Sequence, residues 1–427
     1  MEAGTNPGEI TKLAVDGSIV YAVGLGELKR DELRQGAGAA ARAAAGKESL
    51  TIEFPHESAA ELSAITEGAL LGAYTFNKYL QNADQAITQI NIITDLDVDS
   101  ESLLAQAKII TTAMNHVRDL TNTPANDLTP QTFADFASEA AKAAGVSVKI
   151  YEGEDLEKEK LAGLAAVGKG SAVPPRLVRL EWAPENAKSF VALIGKGITF
   201  DTGGYSLKPA AHITEMKTDM CGAATVLETV IAAAKLNTPV KIVGWLCIAE
   251  NMVSAAASRP DDVIVYRNGK SVEINNTDAE GRLVMADGLI MAAEEKPDAV
   301  IDIATLTGAQ MVALGERITG VMGTDTIRDE IVAAANSADE EAWAMPLPAQ
   351  LRESLKSDIA TLKNSGSRYG GMLVAGIFLK EFVGDTPWGH IDIAGPSFNR
   401  GAAYGYTPKG GTGVMLRTLL EFIAARS

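Results

Sequence analysis

The sequence predicts an α/β protein in which a mixed, mostly parallel central sheet carries helices on both faces, with a smaller N-terminal α/β domain in front. Apolar runs of strand length alternate with segments of helical periodicity along most of the chain. A length of 427 residues suits two domains. Because residues 97–100 form an acidic break, we expect an N-terminal domain over residues 1–103 and a larger domain over residues 104–427.

The N-terminal domain is predicted from five short patterns. In chain order they are strand 19–23, helix 31–45, strand 50–54, helix 59–79 and strand 89–93. After the first strand, Gly24-Leu25-Gly26 resembles the start of a dinucleotide-binding loop, but the third glycine is missing. A tight turn is therefore the better interpretation.

The larger domain begins with helices. We predict one over residues 100–120 with Ser100 as its N-cap, and one over residues 131–144 that Gly145 closes. Strands and helices then alternate to a final helix over residues 412–425. This repeated alternation favours a sheet that is mostly parallel and covered on both faces.

Composition narrows the class of protein. The net charge of −17 argues against binding to nucleic acid, which needs a basic surface. The two cysteines, Cys221 and Cys247, provide no disulfide framework and suit a reducing cytoplasm. The N-terminus lacks the pattern of a signal peptide, and no apolar run is long enough to cross a bilayer. We therefore expect a cytoplasmic protein without membrane contact.

Charged and polar residues follow several predicted strands. The apolar run 190–194 leads into Lys196 and Asp201, and the runs 299–304 and 390–393 lead into glycine-containing polar segments. Since ligands in open α/β sheets gather outside the carboxyl ends of the strands, we expect these residues on one rim.

A further charged segment lies between the predicted strand 271–274 and the predicted helix 283–295. Asp278, Glu280 and Arg282 occupy alternate positions there. In an extended segment, this spacing points all three side chains the same way.

Several familiar catalytic motifs have poor support. The four histidines, His56, His116, His212 and His390, are scattered and form no His-Glu-x-x-His pair, which argues against a histidine-based zinc protease or a Ser-His-Asp triad. The segments at 168–171 and 195–197 lack the upstream glycine of a P-loop, so nucleotide binding is not expected.

Four carboxylates remain as candidates: Asp201, Asp219, Asp278 and Glu280. Two like charges about 4 Å apart repel by roughly 4 kcal/mol at an effective dielectric near 20. Either the four groups stay apart as a surface patch, or cations lie among them. Two divalent ions would neutralise four carboxylates, and oxygen-rich ligation suits Mg, Mn or catalytic Zn.

Several segments together resemble the leucyl aminopeptidase (cytosol aminopeptidase) family, hexameric two-metal enzymes, in a bacterial-type form. They are 195–204, Lys208, 216–219, 276–283 and 304–308. The run Asn-Thr-Asp-Ala-Glu-Gly-Arg-Leu at 276–283 is highly specific to that family. The resemblance covers residues 103–427 well. It is weak over the N-terminal domain, which looks short at its start.

The resemblance implies a set of metal ligands. It assigns this role to Lys196, Asp201, Asp219, Asp278 and Glu280. Asp201 and Glu280 would bridge two ions, most simply Zn or Mn. A lysine ligates only as the neutral amine, so the pKa of Lys196 would have to fall from about 10.4 to below neutrality, which two adjacent dications can enforce.

The resemblance also implies a catalytic pair, Lys208 and Arg282. Lys208 would stabilise the oxyanion, and Arg282 would hold a bicarbonate ion as general base. The carbonyl of Leu306 would align the nucleophile and the substrate amide.

Four further residues would form the pocket for the first side chain of a peptide substrate: Met216, Thr305, Gly308 and Ala394. Their apolar character suits leucine or methionine. Pro396 and Ser397 depart from the family, whose other members often place a methionine there.

Two alternatives stay open at this point. Some relatives also bind DNA as accessory proteins, a role that the acidic balance and the short N-terminal domain disfavour. A two-metal phosphoesterase is the other, and the lysine ligand and the apolar pocket disfavour it. The resemblance otherwise implies peptide substrates and a homohexamer.

Overall fold

The computed structural model describes residues 4–81 and 86–427. Residues 1–3 and 82–85, which belong to the predicted N-terminal domain, lie outside the described residues. The chain divides into two compact units, Met1–Asp119 with Asn399–Thr412, and Leu120–Phe398 with Gly413–Ser427. Compactness alone does not establish a domain that folds by itself, so the limits 1–103 and 104–427 stay a prediction.

The first unit is a small α/β structure. Its elements are β1 (Ile10–Val15), β2 (Ser18–Val23), α1 (Arg30–Ala43), β3 (Ser49–Ile52), α2 (Ala59–Gly72), β4 (Gln89–Ile92) and most of α3 (Ser100–Asn122). Strands β1 and β2 pair antiparallel, and β3 and β4 pair parallel. Its core contains Leu33, Ile52 and Ile65. Arg118, which is fully buried, donates hydrogen bonds to the carbonyls of Leu71 and Tyr406.

Three details of this unit differ from the sequence prediction. Strand β1 was not predicted, although its hairpin turn, Asp16-Gly17, has positive φ at both residues, as a two-residue type I′ turn requires. Helix α2 ends at Gly72 instead of 79. Helix α3 begins at Ser100, so Ser100 is not the N-cap; the Asp99 carboxylate accepts from the Ser102 N–H instead.

The remaining elements continue in chain order. They are α4 (Pro130–Ala143), β5 (Ser147–Tyr151), α5 (Glu154–Lys158), α6 (Ala162–Gly168), β6 (Arg176–Trp182), β7 (Phe190–Asp201), α7 (Ala210–Ile213), a 3-10 turn (Met216–Thr218), α8 (Cys221–Lys235), β8 (Lys241–Asn251), β9 (Asp262–Val265), β10 (Ser271–Ile274), α9 (Gly281–Glu294), β11 (Ala299–Ala304), α10 (Gly308–Leu314), β12 (Thr319–Gly323), α11 (Asp325–Ala338), β13 (Ala342–Ala344), a second 3-10 segment (Ala349–Leu355), β14 (Leu362–Lys363), α12 (Gly371–Lys380), β15 (Trp388–Asp392), β16 (Phe398–Asn399), β17 (Gly410–Gly411) and α13 (Leu416–Ala424).

An eight-stranded sheet forms the centre of the second unit, in the order β13-β12-β15-β11-β7-β8-β6-β5. The inner strands β15, β11, β7 and β8 are parallel, while β12 joins β15, β6 joins β8 and β5 joins β6 antiparallel. The predicted α/β fold with a mixed, mostly parallel central sheet is therefore confirmed. A separate three-stranded sheet has the order β14-β10-β9.

Helices cover both faces of the central sheet at close range. A Cβ on Gly195 of β7 would lie 2.4 Å from Ala223 Cα of α8. On the other face, a Cβ on Gly288 of α9 would lie 2.7 Å from Cys247 Sγ and 3.0 Å from Ile194 Cγ2. Side chains of β7 alternate between these faces, so Lys196, like Ile194, points toward α9.

Strand β7 is longer than the apolar run that predicts it. It continues to Asp201 because β8 pairs with it up to Ile198 and Ala249 and, after an irregularity, again at Asp201 and Asn251. Lys196 therefore lies within the strand and not at its carboxyl end. The predicted strands 271–274 and 299–304 match β10 and β11. Gly145 has positive φ directly after α4, as predicted, whereas the final helix begins at Leu416 instead of 412.

Among the described helices, none is both long and apolar enough to cross a membrane.

The close approach of α8 to β7 gives a first prediction. Gly195→Ala should lower the free energy of unfolding by about 3 kcal/mol, since the new methyl group meets helix backbone that cannot move aside cheaply. Gly308→Ala is the matched control, because no atom of the described residues would lie within 4 Å of its Cβ. Urea denaturation of both variants measures the difference, and equal midpoints would contradict the packing argument.

Candidate active site

The first feature of the site is a lysine buried between β7 and the start of α9. Lys196 is 3% exposed. A Cβ on Gly281, the first residue of α9, would lie 2.4 Å from Lys196 Cε. The missing side chain at Gly281 therefore leaves the space that the lysine fills.

Six of the predicted site residues meet around two ammonium groups. Lys196 Nζ lies 2.8 Å from Asp219 Oδ1 and 2.9 Å from Glu280 Oε1. Lys208 Nζ lies 2.8 Å from Asp201 Oδ2 and 2.7 Å from Asp278 Oδ1. Carboxylate oxygens of Asp201, Asp278 and Glu280 all lie within 4.8 Å of one another. The residues come from four separate segments, so only the fold brings them together.

The electrostatics of this cluster reflect an excess of buried negative charge. Burial, together with Glu280 and Asp219, raises the pKa of Asp201 above its usual range. Burial likewise raises the pKa of Asp219 despite the pull of Lys196. For Lys196, burial disfavours the charged form, but the surrounding carboxylates outweigh it and raise its pKa. The positive charge of two ammonium groups thus neutralises only part of the negative charge of four carboxylates.

The donor set fits divalent cations. Among the described residues, Asp219 Oδ2 and Glu280 Oε2 are buried oxygens that have no hydrogen-bond partner. A buried carboxylate oxygen without a partner is costly unless a donor or a cation contacts it. Carboxylate oxygens in this number suit Mg, Mn or Zn more than softer ions.

Two neighbours orient the carboxylates: Asn251, which the sequence analysis missed, and Thr305, which it assigned to the substrate pocket. Asn251 Nδ2 donates to Asp201 Oδ1 at 2.7 Å and to the Thr277 carbonyl at 3.1 Å. The Thr305 hydroxyl donates to Asp219 Oδ1 at 2.8 Å. Asn251 ends β8, beside β7, so the rule that sites lie at strand ends could have identified it.

Arg282 lies in the first turn of α9, and not in one extended segment with the two acidic residues that precede it. The segment 275–280 is irregular and Gly281 begins a helix, so the alternation argument for an extended segment is wrong here. Arg282 Nη1 donates to the Asn364 carbonyl at 2.8 Å, and burial lowers the pKa of the guanidinium to about 10. Among the described residues, its Nε has no partner.

The residues predicted to bind substrate lie on three segments. Met216 is half-buried in the 3-10 turn before Asp219, Gly308 begins α10, and Ala394 follows β15. Pro396 and Ser397, which depart from the family pattern, are both buried.

A buried carboxylate joins two of these segments. Asp392 Oδ1 accepts from the backbone N–H groups of Leu306 and Ala394, each at 3.2 Å, and Oδ2 accepts from the Thr307 hydroxyl at 2.7 Å. The sequence analysis did not single out Asp392, although a carboxylate inside an apolar strand is the signal that could have done so.

Comparison with known proteins adds independent information. Residues 115–420 match the model of the catalytic domain of the cytosol aminopeptidase family, and residues 2–83 match that of its N-terminal domain. The chain is 51% identical to the probable cytosol aminopeptidase of Micrococcus luteus, covering 94% of this chain and 82% of that protein. Identity to the corresponding protein of Streptomyces avermitilis is 48%, over 97% and 86% of the two chains.

A solved structure is also similar. It is described as the bottromycin maturation enzyme BotP in complex with Mn. The two chains share 37% identity with a TM-score of 0.92, over 99% of this chain and 94% of the other. The likeness therefore extends over both compact units.

The partly compensated cluster gives a second prediction, for the protein kept in EDTA near pH 7. Lys196→Met should lower the free energy of unfolding by about 3–5 kcal/mol, because Asp219 and Glu280 lose their buried cation. Asp201→Asn is the control: its raised pKa means that the ionised carboxyl destabilises the fold, so its removal should not lower stability. Urea denaturation measures the free energy of unfolding of both variants, and an equal loss in Lys196→Met and Asp201→Asn would contradict this account.

Proposed function

The chain belongs to the cytosol aminopeptidase family of peptide hydrolases, and we propose that it releases N-terminal residues from peptides with two divalent ions held by the cluster around Lys196. One observation carries the proposal: four carboxylates and a lysine from separate segments converge, and two of the buried oxygens lack a partner in the described part of the chain.

The proposed ligands are Lys196, Asp201, Asp219, Asp278 and Glu280. Two dications balance four carboxylates, and the similar BotP structure contains Mn, so Mn or Zn is the proposed metal. When bound, such ions polarise a peptide carbonyl and make a water molecule acidic enough to ionise near neutral pH. Asn251 and Thr305 would hold Asp201 and Asp219 in orientation through the hydrogen bonds described above.

Lys208 is the proposed electrostatic stabiliser of the reaction. Burial opposes its charge, but the surrounding carboxylates, Asp201 foremost, raise its pKa, so the ammonium stays charged at neutral pH. Its side chain remains 15% exposed. A charged donor at the edge of a buried site can stabilise an oxyanion as it develops on the scissile carbonyl.

Arg282 would hold a bicarbonate ion and so provide the proton acceptor that the reaction needs. Its unpartnered Nε, within the described residues, supports an anion there. The buried histidine on β15 does not suit this role, because His390 is fully buried and its Nδ1 bonds to Asp302. The Leu306 carbonyl would align the attacking group and the substrate amide.

Met216, Thr305, Gly308 and Ala394 are the proposed pocket for the first side chain, with leucine or methionine preferred. Gly308 is exposed, and within the described residues no atom occupies the position that a methyl group added there would take, which leaves room for a substrate side chain. A homohexamer and a cytoplasmic location complete the proposal, the latter supported by the name of the relatives. The DNA-binding and phosphoesterase alternatives are not favoured, because the relatives are named as aminopeptidases.

Metal removal gives a third prediction. Exhaustive chelation should abolish hydrolysis of leucyl p-nitroanilide, and added Mn²⁺ or Zn²⁺ should restore it.

Substitution of the ligands should have a similar effect. Asp278→Asn and Glu280→Gln should each lower kcat by about a thousandfold while the circular dichroism spectrum stays unchanged, because the bound ions lower the activation barrier by several kcal/mol. Metal analysis should find two ions per chain, and fewer in Lys196→Ala. Full turnover after chelation would refute the mechanism.

The pocket gives a fourth prediction. Gly308→Ala should lower kcat/KM for leucyl p-nitroanilide about tenfold, because the methyl group narrows the proposed pocket by roughly one methylene. The alanyl substrate serves as the internal control and should be cleaved as before. A parallel fall for both substrates would place Gly308 outside the specificity pocket.

A further inference from the structure

The segment that carries two of the proposed ligands has little regular structure of its own. Residues 275–280, the ligand loop, connect the end of β10 to the start of α9 and contain Asp278 and Glu280. Backbone N–H and C=O groups in such a segment need partners from elsewhere, since no helix or strand ladder satisfies them. The position of the two carboxylates therefore depends on what binds this backbone.

One side chain supplies four of these partners. Asn364 Oδ1 accepts from the backbone N–H of Asn275 at 3.0 Å and of Asn276 at 3.2 Å. Its Nδ2 donates to the carbonyls of Asn276 at 2.7 Å and Ala279 at 3.3 Å. Asn364 is fully buried. A primary amide has two acceptor sites and two donor hydrogens, so its capacity is completely used on this loop.

The backbone of Asn364 is held just as firmly. Strand β14 runs parallel to β10, and the Asn364 N–H extends this pairing by donating to the Glu273 carbonyl at 3.0 Å. The Asn364 carbonyl accepts from Arg282 Nη1 at 2.8 Å. In return, Asn275 Oδ1 accepts from the Ser365 N–H at 3.0 Å. Strand pairing thus fixes the backbone of Asn364, and the Asn364 side chain adds hydrogen bonds to the loop that follows β10.

We propose that Asn364 is the positioning residue of the ligand loop, holding Asp278 and Glu280 for metal binding and Arg282 for catalysis. Its hydrogen bonds reach the backbone on both sides of Asp278, at Asn276 and at Ala279. The inference rests on the proposed function for the identity of the ligands, but the contacts themselves do not. Groups that orient ligands in this way alter metal affinity by about 10–100-fold when removed.

The amide is specifically required. Aspartate at this position retains the acceptors for Asn275 and Asn276 but directs an anionic oxygen at two backbone carbonyls that now receive hydrogen bonds. Serine removes the contacts with less repulsion and is the milder variant. Asn268→Asp is the matched control, because it makes the same chemical change at an exposed turn where the side-chain oxygen accepts from the Lys270 N–H.

The test compares wild type with Asn364→Asp, Asn364→Ser and Asn268→Asp in three measurements. They are Mn²⁺ affinity of the metal-free protein by calorimetry, kcat and KM for leucyl p-nitroanilide, and hydrogen exchange of the metal-free protein. Asn364→Asp should weaken Mn²⁺ binding 10–100-fold and lower kcat more than it changes KM. Its exchange should rise in residues 275–282, while β7, β8 and β11 stay protected. Asn268→Asp should match wild type.

Three results would count against the assignment. Wild-type Mn²⁺ affinity and kcat in Asn364→Asp would overturn it, as would a rise in exchange spread over the whole sheet, which indicates only a structural role. Global unfolding of both Asn364 variants would overturn it too. If wild type itself binds neither Mn²⁺ nor Zn²⁺ in the same calorimetric measurement, the proposed function fails. Exchange confined to the ligand loop in the Asn364 variants would then still support Asn364 as its positioning residue.

Discussion

The structure of the second unit is arranged around the burial of four carboxylates beside two ammonium groups. The two ion pairs of Lys196 lie out of water, where removing the buried cation costs several kcal/mol, and the charges of the whole cluster only partly balance. Such a cluster is tolerable if the surrounding structure is rigid and if cations complete the compensation. Several other features of the unit make the surroundings of the cluster rigid or leave carboxylate oxygens available to cations.

Rigidity comes from the strands and helices that carry the charged groups. Strand β7 carries Lys196 and Asp201, and helices approach both of its faces closely. Gly195 of the strand faces the backbone of α8, and Gly281 of α9 faces the side chain of Lys196. Asp392 joins the segments after β11 and β15 through three hydrogen bonds. The loop before α9 lacks such a scaffold of its own and receives it from Asn364.

Much of the fold was accessible from local patterns. Strands with continuous apolar runs, such as β11, were predicted to the residue, because burial on both faces leaves a distinct pattern. The pattern failed where tertiary pairing extends an element beyond its apolar run, as in β7. It also failed where a largely exposed strand has neither a continuous apolar run nor a regular alternation of apolar and polar residues, as in β1. For the site, the resemblance named charged residues that the structure brings together, but it did not point to Asn251, Asn364 or Asp392.

By itself, the sequence determined the fold class, the family and the chemical types present, because periodicity, glycine placement and a specific run of residues are local properties of the chain. Tertiary structure alone decided which oxygens face one another, which remain without a partner in the described residues, and which neutral side chains orient them. Asn364 lies more than eighty residues from the loop it binds. A hydrogen bond depends on distances of a few tenths of an ångström, and separation along the chain carries no information on that scale.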